Sequence, residues 1–105
     1  MTTVSFFKQD GLFTGFSAKG HSTATASDDD GRLVCAAVSS AVIMTANTLT
    51  DVLCLKADIQ TADGLLKLKL LSGVNSAQSV IKGLYIHIEE LSRQYPDNLK
   101  IITEV

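Results

Sequence analysis

The sequence contains no tryptophan, one proline and only two cysteines in 105 residues. Two cysteines form neither a disulfide scaffold nor a four-thiolate zinc site, and the two histidines are not spaced with them as metal ligands. The seven glycines form no phosphate-binding motif. We therefore expect no metal and no other cofactor. The net charge of −2 also gives no strong positive field, which argues against direct binding to nucleic acid.

The first residues show no basic stretch followed by an apolar core, so no secretion signal is expected. The longest uncharged run, residues 33–50, includes serines, threonines and an asparagine and is short for a membrane span. We interpret it as a buried helix and expect no membrane partner. Unpaired thiols without a secretion signal favour a cytoplasmic location.

Hydrophobic residues make up 46% of the chain and charged residues 19%, a globular composition. Residues 1–105 are therefore expected to form one domain. Asp10-Gly11 and Asp63-Gly64 each separate two short apolar runs, as in β-hairpins. The full pattern predicts the order β-β-α-β-β-α-β. This order indicates an α+β fold: a single two-layer domain with a mixed or antiparallel sheet and two helices. Gly15, inside the second strand, indicates a bulge or a close backbone approach.

The segment of residues 19–31 has the composition of a loop, with small polar residues and three successive aspartates. It is long for a compact domain, and long loops are often functional. The composition predicts a mobile lid that becomes ordered when a peptide binds, because so few apolar groups offset the cost of fixing its backbone.

The first helix is predicted over residues 32–53, with Asp30 as its N-cap. Its residues are apolar on almost every side, and a helix of this kind must be covered on every side. One sheet covers only one side of it. The pattern therefore predicts a homodimer in which the first helix forms the interface.

Cys35 and His21 are the candidate catalytic residues. Cys35 is expected near the start of the first helix, where free backbone N–H groups and the helix dipole favour a thiolate and could bind an oxyanion. His21 begins the polar loop that leads to this helix, so the fold could bring the two side chains together as nucleophile and general base. Taken singly, a cysteine on an apolar helix is more often a buried core residue, and a loop histidine a solvated one.

The residues around this pair are more specific. Gly20-His21, a polar loop and then the string Leu33-Val34-Cys35-Ala36-Ala37-Val38-Ser39 resemble the bacterial ribosomal-processing cysteine proteases, the Prp family. The similarity extends over the whole chain. It implies a dimeric α+β fold and a Cys–His dyad, with Cys35 as the nucleophile and His21 as the base.

The resemblance also implies a peptide substrate. This is the N-terminal extension of a large-subunit ribosomal protein, number twenty-seven, with aromatic residues just before the cut. Phe16 or residues of the first helix are candidates for the pocket that holds them. Gly20 and Ser39 are candidate supporting or substrate-binding residues. Ser39 lies one turn after Cys35 on the same helix face; alternatively, its hydroxyl bonds back to the carbonyl group of Cys35.

Two other functions remain open from the residues alone. The chain could be a dimeric module that binds a ribosomal protein or an assembly factor without cutting it. A thiol redox protein is disfavoured because there is no Cys-x-x-Cys pair. A thiol-reactive reagent separates the first alternative from a protease, because an activated cysteine reacts fast at neutral pH and a buried structural one does not.

Overall fold

The structure is a computed structural model that describes residues 1–20 and 29–105. Its elements are, in chain order, β1 (Thr2–Gln9), β2 (Leu12–Lys19), α1 (Asp29–Asn47), a π-helical segment (Thr48–Val52), β3 (Ala57–Ala62), β4 (Leu65–Leu70), α2 (Val74–Gln94) and β5 (Leu99–Glu104). The predicted order β-β-α-β-β-α-β is confirmed.

The five strands form one mixed sheet in the spatial order β3-β4-β2-β1-β5. All neighbouring pairs are antiparallel except β1 and β5, which are parallel. Among the described residues, β3 and β5 are therefore the outermost strands, and each has one edge without a partner strand. The predicted α+β class with a mixed sheet and two helices is confirmed.

Both predicted hairpin turns are present. Asp10 and Gly11 have φ values of 54° and 78°, and Gly64 has 72°, the left-handed conformations that such tight turns require. The prediction for Gly15 is also confirmed. The register between β1 and β2 shifts after Phe7. A Cβ at Gly15 would collide with the backbone carbonyl oxygen of Leu68.

The helices pack on one face of the sheet, which we call the inner face. Directly paired residues of neighbouring strands share a face, so the pairings assign one row of the inner face to Phe6, Phe16, Leu68 and Ile59. The core lies between this face and the buried stripes of the helices, formed by Val34, Val38, Val42, Ala46, Ala77, Ile81, Leu84 and Ile88.

The helix from Asp29 to Val52 is long and apolar enough to cross a membrane by length and composition alone. Its buried stripe instead forms part of the core. Leu33 and Met44, which are eleven residues apart and so lie on one side of this helix, are exposed in the single chain.

Two predicted boundaries are wrong. The predicted loop, residues 19–31, is too long, because Lys19 still belongs to β2 and residues 29–31 already belong to α1. Asp30 is the second residue of α1 and not its N-cap. The two errors at the helix start have the same origin: the three aspartates are typical of a loop, yet acidic side chains are also favourable in the first turn of a helix. Most of the predicted lid, residues 21–28, lies outside the described residues.

Candidate active site

A cavity of about 260 Å³ lies between α1 and the β3–β4 hairpin, and Cys35 lines it. The end of β2 closes the cavity on one side through Lys19 and Gly20. The α1 residues that line it repeat at helical spacing: Cys35, Val38, Ser39, Val42 and Ile43. One stripe of α1 therefore faces this cavity.

Cys35 is half-buried and lies at one end of that stripe. Ile43 lies eight residues further along, which corresponds to about 12 Å of helix at roughly 1.5 Å per residue. About three or four residues of an extended peptide span this distance, at roughly 3.3 Å each. The groove has the length and the apolar wall that a short peptide segment needs, with a thiol at one end.

The helix start does not lie where the sequence predicts. Cys35 is the seventh residue of α1 and therefore belongs to its second turn. A helix leaves only its first four N–H groups without intrahelical partners. The backbone N–H of Cys35 is not one of these, so the expectation that Cys35 lies among the free amide groups of the helix start is wrong by about one turn.

Ser39 lies one turn after Cys35, lines the same cavity and is exposed. Thr45, Thr48 and Thr50 donate hydrogen bonds back to carbonyl groups four residues earlier. Within the described part of the chain, Ser39 makes no such bond. Its hydroxyl group therefore remains available to a molecule in the groove.

Gly20 connects β2 to the cavity and has to be glycine. Its φ is 148°, a value that residues with side chains rarely adopt. A Cβ there would lie 2.6 Å from the carbonyl oxygen of Met1 and 2.8 Å from the Cα of Thr2. Its backbone N–H donates a hydrogen bond to the carbonyl oxygen of Gly64, with an N···O distance of 2.9 Å. The hydrogen bond to Gly64 thus fixes the position of Gly20, the residue before His21, at the edge of the cavity.

His21, the predicted base, lies outside the described residues. The described histidine, His87, is exposed on α2 and lines a different groove, between α1 and α2. Cys54 is exposed beyond the π-helical segment and does not line the cavity. Residues 1–20 and 29–105 contain no group of three acidic, cysteine or histidine side chains placed to hold a metal ion.

One aspartate at the start of α1, Asp29, forms an ion pair with Arg32. Asp29 Oδ1 accepts a hydrogen bond from Arg32 Nη2 at 2.7 Å. Both side chains are largely exposed, so the pair adds little to the free energy of unfolding. Asp29 is thus held by Arg32 at the helix start.

Phe16 is not part of a substrate pocket. Its side chain is 0% exposed and belongs to the core under the helices. The expectation that Phe16 holds an aromatic substrate residue is wrong, because the register turns it toward the inner face of the sheet.

Sequence reasoning also missed the wall opposite α1. That wall is the β3–β4 hairpin. Its residues that line the cavity are Thr61, Ala62, Gly64, Leu65 and Leu66. The Asp63-Gly64 turn is visible in the sequence, but its position next to Cys35 depends on the pairing of β4 with β2.

Solved structures share this fold along the whole chain. An essential ribosomal processing protease, Prp, from S. aureus, solved with a covalently linked product peptide, superposes with a TM-score of 0.84 at 20% identity, covering 99% of this chain and 100% of that one. Solved with a substrate peptide, that protease gives 0.86 at 19% identity, with the same coverage. A Streptococcus mutans protein gives 0.79 at 22% identity, covering 99% of this chain and 96% of its own.

No curated protein sequence matches the chain. The family model of the cysteine protease Prp matches residues 1–100, which is nearly the whole length. The fold, the groove with a thiol at its end and this match agree with the resemblance seen in the sequence. The chain therefore belongs to the cysteine protease Prp family and is an enzyme of the cysteine-protease class.

Proposed function

We propose that this chain is an endopeptidase that removes the N-terminal extension of a large-subunit ribosomal protein, number twenty-seven, during ribosome assembly. The observation that carries the proposal is the position of Cys35 at one end of a groove long enough for three or four extended residues. Family membership supplies the reaction class, and the resemblance around Gly20-His21 and Cys35 supplies the substrate. Such a substrate places the reaction in the cytoplasm.

In this mechanism, Cys35 is the nucleophile and His21 is the general base. His21 takes the thiol proton as Sγ attacks the scissile carbonyl carbon, and it returns that proton to the nitrogen of the leaving segment. The C–N bond breaks and a thioester to Cys35 remains. Water then attacks the thioester carbon while His21 accepts a proton from it, and the thiol and the new carboxyl group are released.

Ser39 is proposed as a substrate-binding residue. Its hydroxyl group has no hydrogen-bond partner within the described residues, is exposed and lines the groove one turn after Cys35. A hydroxyl group both donates and accepts hydrogen bonds, so it suits a peptide carbonyl or amide group that passes along α1. Gly20 is proposed as a supporting residue, because its backbone fixes where the segment with His21 begins.

The active form is proposed to be a homodimer through α1. The single chain leaves Met44 68% exposed and Leu33 54% exposed on this helix. Between α1 and α2 lies a groove of about 720 Å³, lined largely by small side chains, among them Ala37, Ser40, Ala41 and Ser79. Small residues allow a second helix to approach closely, and a two-fold pair would cover this exposed side of α1 in both subunits at once.

The test of the catalytic roles uses a synthetic peptide that spans the cut of the extended ribosomal protein. We expect wild type and Cys54→Ala to cleave it at similar rates, and Cys35→Ala to leave it intact while its circular dichroism spectrum stays native. Cleavage by Cys35→Ala at near the wild-type rate would contradict the role of Cys35.

A further inference from the structure

In residues 1–20 and 29–105, no strand pairs with the outer edge of β3. Five of the six residues of this strand are exposed. Protein sheets commonly protect such an edge with lysine, proline or a covering element. β3 contains neither lysine nor proline, and its one charged residue is Asp58. Asp58 pairs with Lys69, so its side chain lies on the outer face of the sheet.

The hydrogen-bond pattern identifies the residues whose backbone groups point to this edge. Leu71 N–H donates to Lys56 O at 2.8 Å, so these two residues form a hydrogen-bonded pair. Hydrogen-bonded and non-bonded pairs alternate in an antiparallel ladder. The next residues of β3 that bond to β4 are therefore Asp58, Gln60 and Ala62. The backbone N–H and C=O groups of Ala57, Ile59 and Thr61 face away from the sheet.

This edge is continuous with the candidate active site. Thr61 and Ala62 line the cavity that contains Cys35 and Ser39. The side chain of Ile59 lies on the inner face and is 41% exposed, so α1 does not cover the inner face at β3. A strand added beside β3 would run along the groove next to α1.

We propose that the substrate peptide binds as an additional antiparallel or parallel strand on the free edge of β3, with the backbone of Thr61 and Ile59 as its hydrogen-bond partners. This inference rests on the proposed function for the identity of the peptide. Backbone pairing gives affinity without regard to side chains, while alternate side chains of the peptide face the wall of α1. The backbone of β3 thus positions the peptide, and the wall of α1 determines which peptide side chains fit the groove.

The chain offers a matched pair of proline variants. Thr61→Pro removes an N–H that points to the free edge of β3, where proline is tolerated. Thr103 occupies the equivalent place on the opposite edge. Thr2 N–H donates to Asn98 O at 2.9 Å, so in the parallel ladder Lys100, Ile102 and Glu104 bond to β1, and the N–H of Thr103 points away.

The experiment measures the dissociation constant of the fluorescently labelled peptide that spans the cut, using the full chain in a Cys35→Ala background, so that binding is read without cleavage. We expect Thr61→Pro to weaken binding about threefold to tenfold, the range of one lost hydrogen bond, and Thr103→Pro to leave it unchanged. Equal affinity of Thr61→Pro and its parent would overturn the proposal.

Peptide chemistry provides a second test that does not depend on the folding of a variant. Peptides with a single N-methyl group at successive positions, two or more residues from the cut, are titrated into the Cys35→Ala protein. We expect weakened binding at every second position, the period of a strand. Equal affinity at all positions would contradict strand addition.

Two further outcomes separate the alternatives. If Thr61→Pro turns a dimer into a monomer, the edge pairs with a second copy of the chain and the proposal is wrong. If the peptide binds with the expected pattern but wild type does not cleave it, the docking mode stands and the proposed function fails.

Discussion

The backbone N–H of Gly20 lies 2.9 Å from the carbonyl oxygen of Gly64, to which it donates a hydrogen bond. Both glycines line the cavity that contains Cys35. This bond joins the end of β2 to the β3–β4 turn. It therefore connects the point where the chain leaves for His21 to the wall that faces Cys35.

Gly20→Ala is expected to destabilise the protein and to reduce cleavage. The new Cβ would meet the backbone of Met1 and Thr2 at a φ of 148°. Gly11→Ala is the matched control, because Gly11 also has a positive φ, 78°, but its Cβ would meet nothing within 4 Å. Gly11→Ala should cost only the conformational strain, about 1–2 kcal/mol. Urea unfolding of both variants tests this, and an equal loss would show that the contacts with Met1 and Thr2 are unimportant.

Alkylation is expected to distinguish the two thiols. In the Cys54→Ala protein, iodoacetamide at neutral pH should modify Cys35 and abolish cleavage in proportion to the modified fraction. In Cys35→Ala, the same reagent should modify Cys54, which is exposed and outside the cavity. Intact-protein mass together with residual activity provides the measurement. Full activity after complete alkylation of Cys35 would exclude it as the nucleophile.

His21→Ala is expected to lower kcat about 10²–10⁴-fold, the usual range for the loss of a general acid–base group. Added imidazole should restore part of that loss, since a small base can occupy the vacated space. The Cys54→Ala protein provides the reference rate. Steady-state kinetics measure both effects, and similar kcat values for the His21→Ala and Cys54→Ala proteins would show that His21 is misassigned.

Met44→Glu is expected to convert a dimer into a monomer, because it places a charge on the uncovered flank of α1 beside the α1–α2 groove. Val52→Glu is the matched control. Val52 is 72% exposed, close to the 68% of Met44, but lies beyond that groove. Light scattering at micromolar concentration reports the mass of each. A monomeric wild type, or dissociation by both substitutions alike, would contradict the proposed interface.

The fold was largely predictable from the sequence because its signals are local. Asp10-Gly11 and Asp63-Gly64 mark tight turns, and Gly15 marks a close approach of two backbones. Strand order depends on which strands pair across the sheet, and no local signal reports the insertion of β4 next to β2. For that reason the β3–β4 hairpin was missing from the predicted site.

The site was predictable in part. Cys35 lines the candidate cavity, and its catalytic role stays a prediction. Its place in the second turn was not predicted, since acidic residues are compatible with both a loop and a helix start. Phe16 was misassigned because an aromatic residue in a strand serves a core or a pocket equally well. The bulge residue is Thr14, next to Gly15. It places Phe13 and Phe16 on the same face, and only the register shows this.

The mass spectrum of the N-terminally extended ribosomal protein, recorded after incubation with the purified wild-type chain, tests the central claim most directly. The account predicts two fragments whose masses sum to the mass of the substrate plus one water, with the cut just after aromatic residues, and no fragments with Cys35→Ala. An unchanged substrate mass in the presence of folded wild-type protein would contradict it.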